Sequence, residues 1–441
     1  MVIPRMLAGL CVLWAAGAVS ANEPYTLREK AAVGDQWRTE LAMRLTGQVF
    51  VRSGERVVTL ELSATAHHQF PERITRVDAA GHPLAAARFY EQAKAEITAQ
   101  GKTTVRTLRP DRRVQVAQRL KDETITYSPA GPLTREEAEL TGDHLDVLML
   151  GGLLPAEPVS LGAAWDVPVP TAQALAGLEG VIEHNLRGKL EKVEGDRATV
   201  RVAGTVSGID SGAEVKTTVE GTLVFDLSAQ RIIAVQWQPT EERSQGPVTP
   251  AARTTSVTTV TRTFGAKSDA LSDGVAASLP AEPALPQLLL EYRDPQGRCV
   301  FLYDRAWHVA GQTDQFAVLR LLDRGELIAQ LNVIPWTKAQ PGRHLDPAEL
   351  RQRVEQAPNF KLTEVLNAGE VPSAEAGRWV YRLAVAGESG DLRLLQNHYI
   401  VAGPQGDQVL LSFTTELAHA DRFGGRDLPI VTTVTFPGPP Q

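Results

Sequence analysis

The chain has 441 residues, with 45 Lys and Arg against 52 Asp and Glu and a formal net charge of −7. That acidic balance argues against a nucleic-acid backbone as partner. After the first apolar run no stretch approaches the roughly 20 residues that a bilayer-spanning helix needs, so no transmembrane segment is expected in the mature chain. The length allows two or three domains at about 150 residues each.

Residues 1–21 carry the three parts of a secretory signal: one basic residue at Arg5, an uncharged apolar run over 6–19, and small residues at Ser20 and Ala21. Cleavage is expected after Ala21, without lipid at Cys11, because Leu10 is too large for the position before a lipidated cysteine. The product is exported, to a periplasm or beyond. Export leaves Cys299 as the lone thiol, inside the apolar run Cys299-Val300-Phe301-Leu302-Tyr303. It reads as a small core hydrophobe, and no intramolecular disulfide is possible.

In chain order, 37–50 and 55–66 form a long hairpin around Arg52-Ser53-Gly54, and 105–108 with 113–120 form another turning at Pro110-Asp111. Residues 133–150 read as helical, opened by a Thr134-x-x-Glu137 capping box and broken at Gly142-Asp143. A second short helix is expected over 171–178. From 198 to 264 period-two alternation dominates: Val215, Val219, Leu223, Phe225 and Leu227 share one face, with Lys216, Glu220 and Asp226 on the other. Short turns between these runs predict an up-and-down antiparallel meander.

The stretch 266–286 is small, polar and Pro-containing, and reads as a linker between a β-rich region, 22–265, and a second region, 287–441. The second region reads as strands over 288–292, 299–303, 317–322 and 327–334, then a helix with Asp346 as N-cap and Pro347 at its first position. Further strands follow over 361–366, 378–385, 392–401 and 408–415. A mixed terminal stretch with a short helix, a Gly424-Gly425 turn and a final apolar run over 430–436 completes it.

Long one-sided strands interrupted by short helices resemble, in architecture only, the half-barrel of periplasmic lipoprotein-carrier folds. Phe301-Leu302-Tyr303-Asp304-Arg305-Ala306-Trp307 resembles the opening strand and P-x-x-W of PsbP-like domains, with Asp304 where proline is expected. Leu410-Leu411-Ser412-Phe413-Thr414-Thr415-Glu416-Leu417, followed by a short helix and an apolar run, resembles their C-terminal signature. The resemblance covers the whole second region and implies an antiparallel sheet flanked by helices, used for binding or assembly. The expected fold class is therefore α+β: a curved antiparallel sheet with short helices, then a helix-flanked PsbP-like sheet.

Motifs with chemistry are scarce. There is no Gly-x-Ser-x-Gly elbow, His-Glu-x-x-His, Cys-x-x-Cys or phosphate-binding glycine loop. Asp143-His144-Leu145-Asp146 could ligate a metal, or Asp143 could simply re-start a helix as N-cap. His67 and His68 fall on opposite faces of a strand, which disfavours a shared ion and suggests a solvated pair. Arg106, Arg109, Arg112, Arg113 and Arg119 read as the wet face of a hairpin. The tryptophans are dispersed and read as core, with Trp165 a packing anchor. No catalytic, cofactor or metal residue is assigned and no cofactor is implied. The expected function is a non-enzymatic binding or assembly protein of the cell envelope that shelters an apolar ligand or packs on an envelope protein. The alternative is a hydrolase of unfamiliar type with its site between the regions.

Overall fold

Valine- and threonine-rich alternation becomes strand almost throughout. The computed structural model describes residues 24–437 apart from 121–122, 143 and 374, so the signal segment, Cys11, Ala21 and Asp143 lie outside the described residues. The first strands are β1 (Gln36–Ser53), β2 (Arg56–Val77), β3 (Pro83–Phe89), β4 (Gln92–Ala99), β5 (Lys102–Thr107), β6 (Val114–Leu120) and β7 (Glu123–Tyr127). After β8 (Leu133–Thr134), α1 (Arg135–Gly142), β9 (Ala164–Asp166) and α2 (Val169–Ala176) come the later strands. These are β10 (Gly180–His184), β11 (Arg187–Glu194), β12 (Arg197–Asp210), β13 (Ala213–Asp226), β14 (Arg231–Arg243) and β15 (Ala251–Phe264).

They make one 14-stranded sheet in the order β7-β6-β3-β2-β1-β15-β14-β13-β12-β11-β9, with β4–β5 added on β2 and β10 on β12. The β1–β2 hairpin and the β11–β15 meander form as their alternation requires. What joins them is the non-local antiparallel pair β1–β15. The hairpin expected around Pro110-Asp111 does not form: β5 pairs with β4, and β6 pairs with β3 and β7. A turn of 3-10 helix at Pro110–Arg112 carries the chain from one hairpin to the other.

Neighbouring backbones approach closely at two glycines. A Cβ on Gly47 of β1 would stand 2.3 Å from the Arg253 carbonyl oxygen of β15, and one on Gly208 of β12 would stand 2.1 Å from the Gly180 carbonyl oxygen of β10. Such close backbone approach is open only to glycine and marks sharp folds in a curved sheet. The inner face is closed at one end by a core of Leu41, Phe70, Leu150, Leu153, Leu190, Val200, Phe225 and Val235. Trp165 lies over Gly188 and donates its Nε1–H to the Leu153 carbonyl oxygen at 3.0 Å, a packing anchor in fact.

Residues 266–286 run along β2, β3 and β6 with two short helices, α3 (Asp273–Ser278) and α4 (Leu285–Leu288, ending just beyond). Leu271 is buried there, Arg73 pairs with Asp273 at 2.5 Å, and Arg76 pairs with Glu282 at 2.6 Å. Then follow β16 (Leu290–Arg293), β17 (Val300–Tyr303), β18 (Trp307–Gln312), β19 (Ala317–Asp323), β20 (Glu326–Pro335) and α5 (Pro347–Glu355). The last strands are β21 (Lys361–Glu370), β22 (Trp379–Ser389), β23 (Leu392–Ala402) and β24 (Gln408–Glu416), followed by α6 (Ala420–Phe423) and α7 (Leu428–Thr432). A 7-stranded antiparallel sheet runs β18-β19-β20-β24-β23-β22-β21. A 3-stranded sheet, β17-β16-β8, joins the two regions by a parallel β8–β16 pair.

The α+β expectation is overturned: the protein is mostly β, 54% strand and 14% helix. The helix read over 133–150 stops at Gly142, and α5, with Asp346 as N-cap and Leu350 and Val354 buried, is only nine residues long. The first part of the final apolar run is α7, started by Asp427, whose carboxylate accepts from the Leu428 amide. The helices are few and short beside the large antiparallel sheets, although α5, α6 and α7 do pack on the 7-stranded one. Cys299 is buried, and burial pushes its thiol up to about 12, as a core hydrophobe requires.

Candidate functional site

The closed end of the curved sheet is filled by side chains, and toward the other end Val206, Val215, Thr217 and Ala252 are buried too. Register places two rows straight across that end on the inner face. One runs Leu62, Gly47, Thr254, Glu241, Thr217, Val206, and the next runs Leu60, Val49, Ala252, Arg243, Val215, Gly208. The β1–β2 side of these rows is apolar. Leu45, Val49, Leu60, Leu62 and Ala64 are half-buried, while Val51 and Val58 beyond them are 37% and 42% exposed. Between this apolar side and β10 lie the ends of β15, β14 and β13, the floor of the two rows.

That floor is polar. Arg243 stands 3.8 Å from both Asp210 and Glu241, too far for hydrogen bonds, and its Nε has no partner. Burial holds both carboxyls above their usual range, Asp210 adding to the effect at Glu241 and Arg243 opposing it at both. Beside Glu241 in the register, Thr217 is only 2% exposed and its hydroxyl is unpartnered. None of these residues carries a sequence signal; parity along the strands was readable, but their meeting needs the register.

The outer face of the same strand ends has a recess of about 460 Å³ between Phe50 and Ile182. Lys216, Glu214, Glu242 and Arg253 line the rest, and Arg253 pairs with Glu242 at 3.1 Å. Alternating charges of both signs are what a solvated sheet face presents.

The histidines behave differently from their sequence reading. His67 and His68 do point to opposite faces, yet His68 is buried rather than solvated, with its ring centroid 5.0 Å from that of His144. Burial, with smaller contributions from His144, His67 and Arg88, lowers His68 to about 3; burial lowers His144 to about 4. Both rings are thus neutral at pH 7. With Phe70, Tyr90, Arg88 and Thr141 they enclose a crevice of about 10 Å³, room for roughly one water. Among the described residues neither imidazole is hydrogen-bonded to a carboxylate, and no three His, Cys, Asp or Glu side chains converge as a metal site. Asp146 instead accepts from the Leu148 amide.

The arginines read as a wet face are largely structural. Arg109 donates to both Glu137 oxygens and to Glu291, each at 2.7 Å, tying α1 to β16. Arg113 donates to the Tyr90 and Glu91 carbonyl oxygens, and Arg112 is buried. In the second region, His398 Nδ1 lies 2.9 Å from Ser412 Oγ, and its Nε2 3.1 Å from Gln396 Oε1. The two residues are cross-strand neighbours, both buried, which suits a satisfied polar pair in a sheet.

No family model matches the chain, and no curated protein matches it. Among solved structures it is similar to lipovitellin, described for its lipid–protein interactions, at 10% identity and a TM-score of 0.29 over 59% of this chain. The match spans only 27% of the lipovitellin chain. The immunity protein TplEi of Pseudomonas aeruginosa aligns over 53% of this chain and 94% of its own at 10% identity and a TM-score of 0.20. OprB of Pseudomonas putida aligns over 87% and 94% at 10% identity and a TM-score of 0.13. Likenesses this slight decide neither fold nor function. Among the described residues no helix is long and apolar enough to cross a membrane, which says nothing of a β-barrel.

Proposed function

We propose that this is an exported, non-enzymatic binding protein of the cell envelope that shelters an apolar ligand on the inner face of its curved sheet. The supporting observation is the apolar row of β1 and β2, which runs past the core and reaches solvent at Val51 and Val58. An antiparallel sheet normally keeps its apolar face covered. A contiguous uncovered stretch marks a place where something else binds.

Titration with N-phenyl-1-naphthylamine, an uncharged apolar fluorophore, tests this. The wild-type protein should bind it, and the double variant Val49→Asp, Leu60→Asp should bind about tenfold more weakly or not at all. Unchanged binding by a folded double variant, together with no lipid carried by the envelope-purified protein in native mass spectrometry, would overturn the proposal.

A further inference from the structure

The β1–β2 hairpin outruns the sheet that carries it. On one side β15 pairs with β1 only as far as Phe50, opposite Ala251; on the other β4 pairs with β2 only from Leu62, opposite Ala99. Beyond those points β1 and β2 pair with each other alone, Val51 opposite Val58, Arg52 opposite Val57 and Ser53 opposite Arg56. At about 3.3 Å per residue the ribbon projects about 10 Å past its last neighbour on the β15 side.

A free ribbon in water should carry polar side chains, and this one is apolar on both faces. Alternation puts Val51 and Val58 on the face that continues the row of Val49 and Leu60, and Phe50 and Val57 on the opposite face. Val57 is 60% exposed, and Val51 and Val58 are exposed as well. The protein's own core can cover one face of a ribbon at most, so a second medium is needed for the rest.

Charge identifies that medium. Arg52 and Arg56 are exposed beside the valines, and Lys102 is exposed where β5 leaves the neighbouring β4–β5 turn. None of these three cations is held in an ion pair among the described residues, and Glu55 is the one acidic residue from 50 to 59. The chain as a whole is acidic, at −7, so attraction to an anionic surface is confined to this end. Valines set among acyl chains and guanidiniums reaching back to phosphates suit the interfacial zone of an anionic bilayer. Apolar groups sink about 5–10 Å into that zone, a depth the projection supplies. A partner protein would need a groove that closes round both faces of the ribbon; a lipid surface needs none.

We infer that the hairpin tip, residues 51–58, docks the protein on the surface of an anionic phospholipid bilayer. This goes beyond the inner-face reading and stands without it, since the tip inserts whether or not the sheet carries a ligand.

Co-sedimentation of the full mature chain with two kinds of vesicle tests this, one of phosphatidylcholine alone and one of phosphatidylcholine mixed with phosphatidylglycerol. The wild-type protein should bind the mixed vesicles about tenfold more tightly than the neutral ones. The triple variant Val51→Thr, Val57→Thr, Val58→Thr keeps the branched shape that strands favour and should bind mixed vesicles about tenfold more weakly. In the double variant Arg52→Gln, Arg56→Gln the preference for mixed vesicles should shrink to about twofold. Both variants, once thermal unfolding shows them folded, should bind N-phenyl-1-naphthylamine in the absence of vesicles as the wild type does. A folded wild-type protein that binds neither vesicle, or variants that bind both as the wild type does, overturns the tip inference and leaves the inner-face reading to its own test. Crosslinks from the tip to an envelope protein, with no vesicle binding, overturn it in favour of a protein partner.

Discussion

At the scale of single residues, the strongest local commitments are buried charges. Glu72 has no solvent exposure; one carboxylate oxygen accepts from Trp37 Nε1 at 2.7 Å and the other from Arg88 Nε at 2.6 Å. Removing one partner of such a pair leaves the other charge buried without compensation, which costs about 3–5 kcal/mol. Glu72→Leu should therefore lower unfolding free energy by about that amount in urea titration. Adding Arg88→Met should recover much of the loss, since an apolar pair of similar volume is often neutral; a double variant no more stable than the single one would refute this account. Neither residue stood out in the sequence, because an isolated glutamate on a strand looks the same whether its face is wet or dry. Cys299 was legible, since its neighbours in the chain are themselves core residues.

At the scale of elements, alternation was a reliable guide and helix length was not. β13 alternates buried and exposed along its whole length, as its sequence demands. The capping box formed as its spacing predicted, with the Thr134 amide donating to Glu137 at 2.9 Å and the Glu137 amide donating to Thr134 at 3.2 Å. A cap says where a helix starts and not how far it continues. Curvature, by contrast, hangs on glycines whose role no local pattern shows. Gly47→Ala would drive a methyl group into the β15 backbone and should cost about 1–3 kcal/mol. Gly311→Ala, where an added Cβ meets nothing within 4 Å, should change stability by less than about 0.5 kcal/mol. Equal urea midpoints for the two variants would show that the fold at Gly47 does not constrain the sheet.

At the scale of the whole molecule, buried neutral histidines set the response to acid. His68, His144 and His398 are lowered from 6.5 to about 3, about 4 and about 4 by burial. The unfolded chain takes up these protons near pH 6.5 while the folded protein resists until about pH 4, so the unfolded state binds more protons in between. Stability is accordingly complete above pH 6.5 and declines as pH falls, by up to about 1.4 kcal/mol per pH unit for each histidine. Denaturation at pH 7, 6 and 5 should show this slope, made shallower in His144→Gln; identical slopes would mean that His144 titrates alike in both states.

The amino-acid sequence by itself determined the β1–β2 hairpin, the meander, the opposite faces of His67 and His68 and the burial of Cys299. All depend on neighbours within a few residues or on a period of two. Tertiary structure alone decided the β1–β15 joint, the parallel β8–β16 pair, the meeting of His68 with His144 and the register that sets Leu60 and Leu62 in line with Arg243 and Glu241. These arise from pairing strands far apart in the chain, where many registers satisfy the same alternation and only the packed whole selects one.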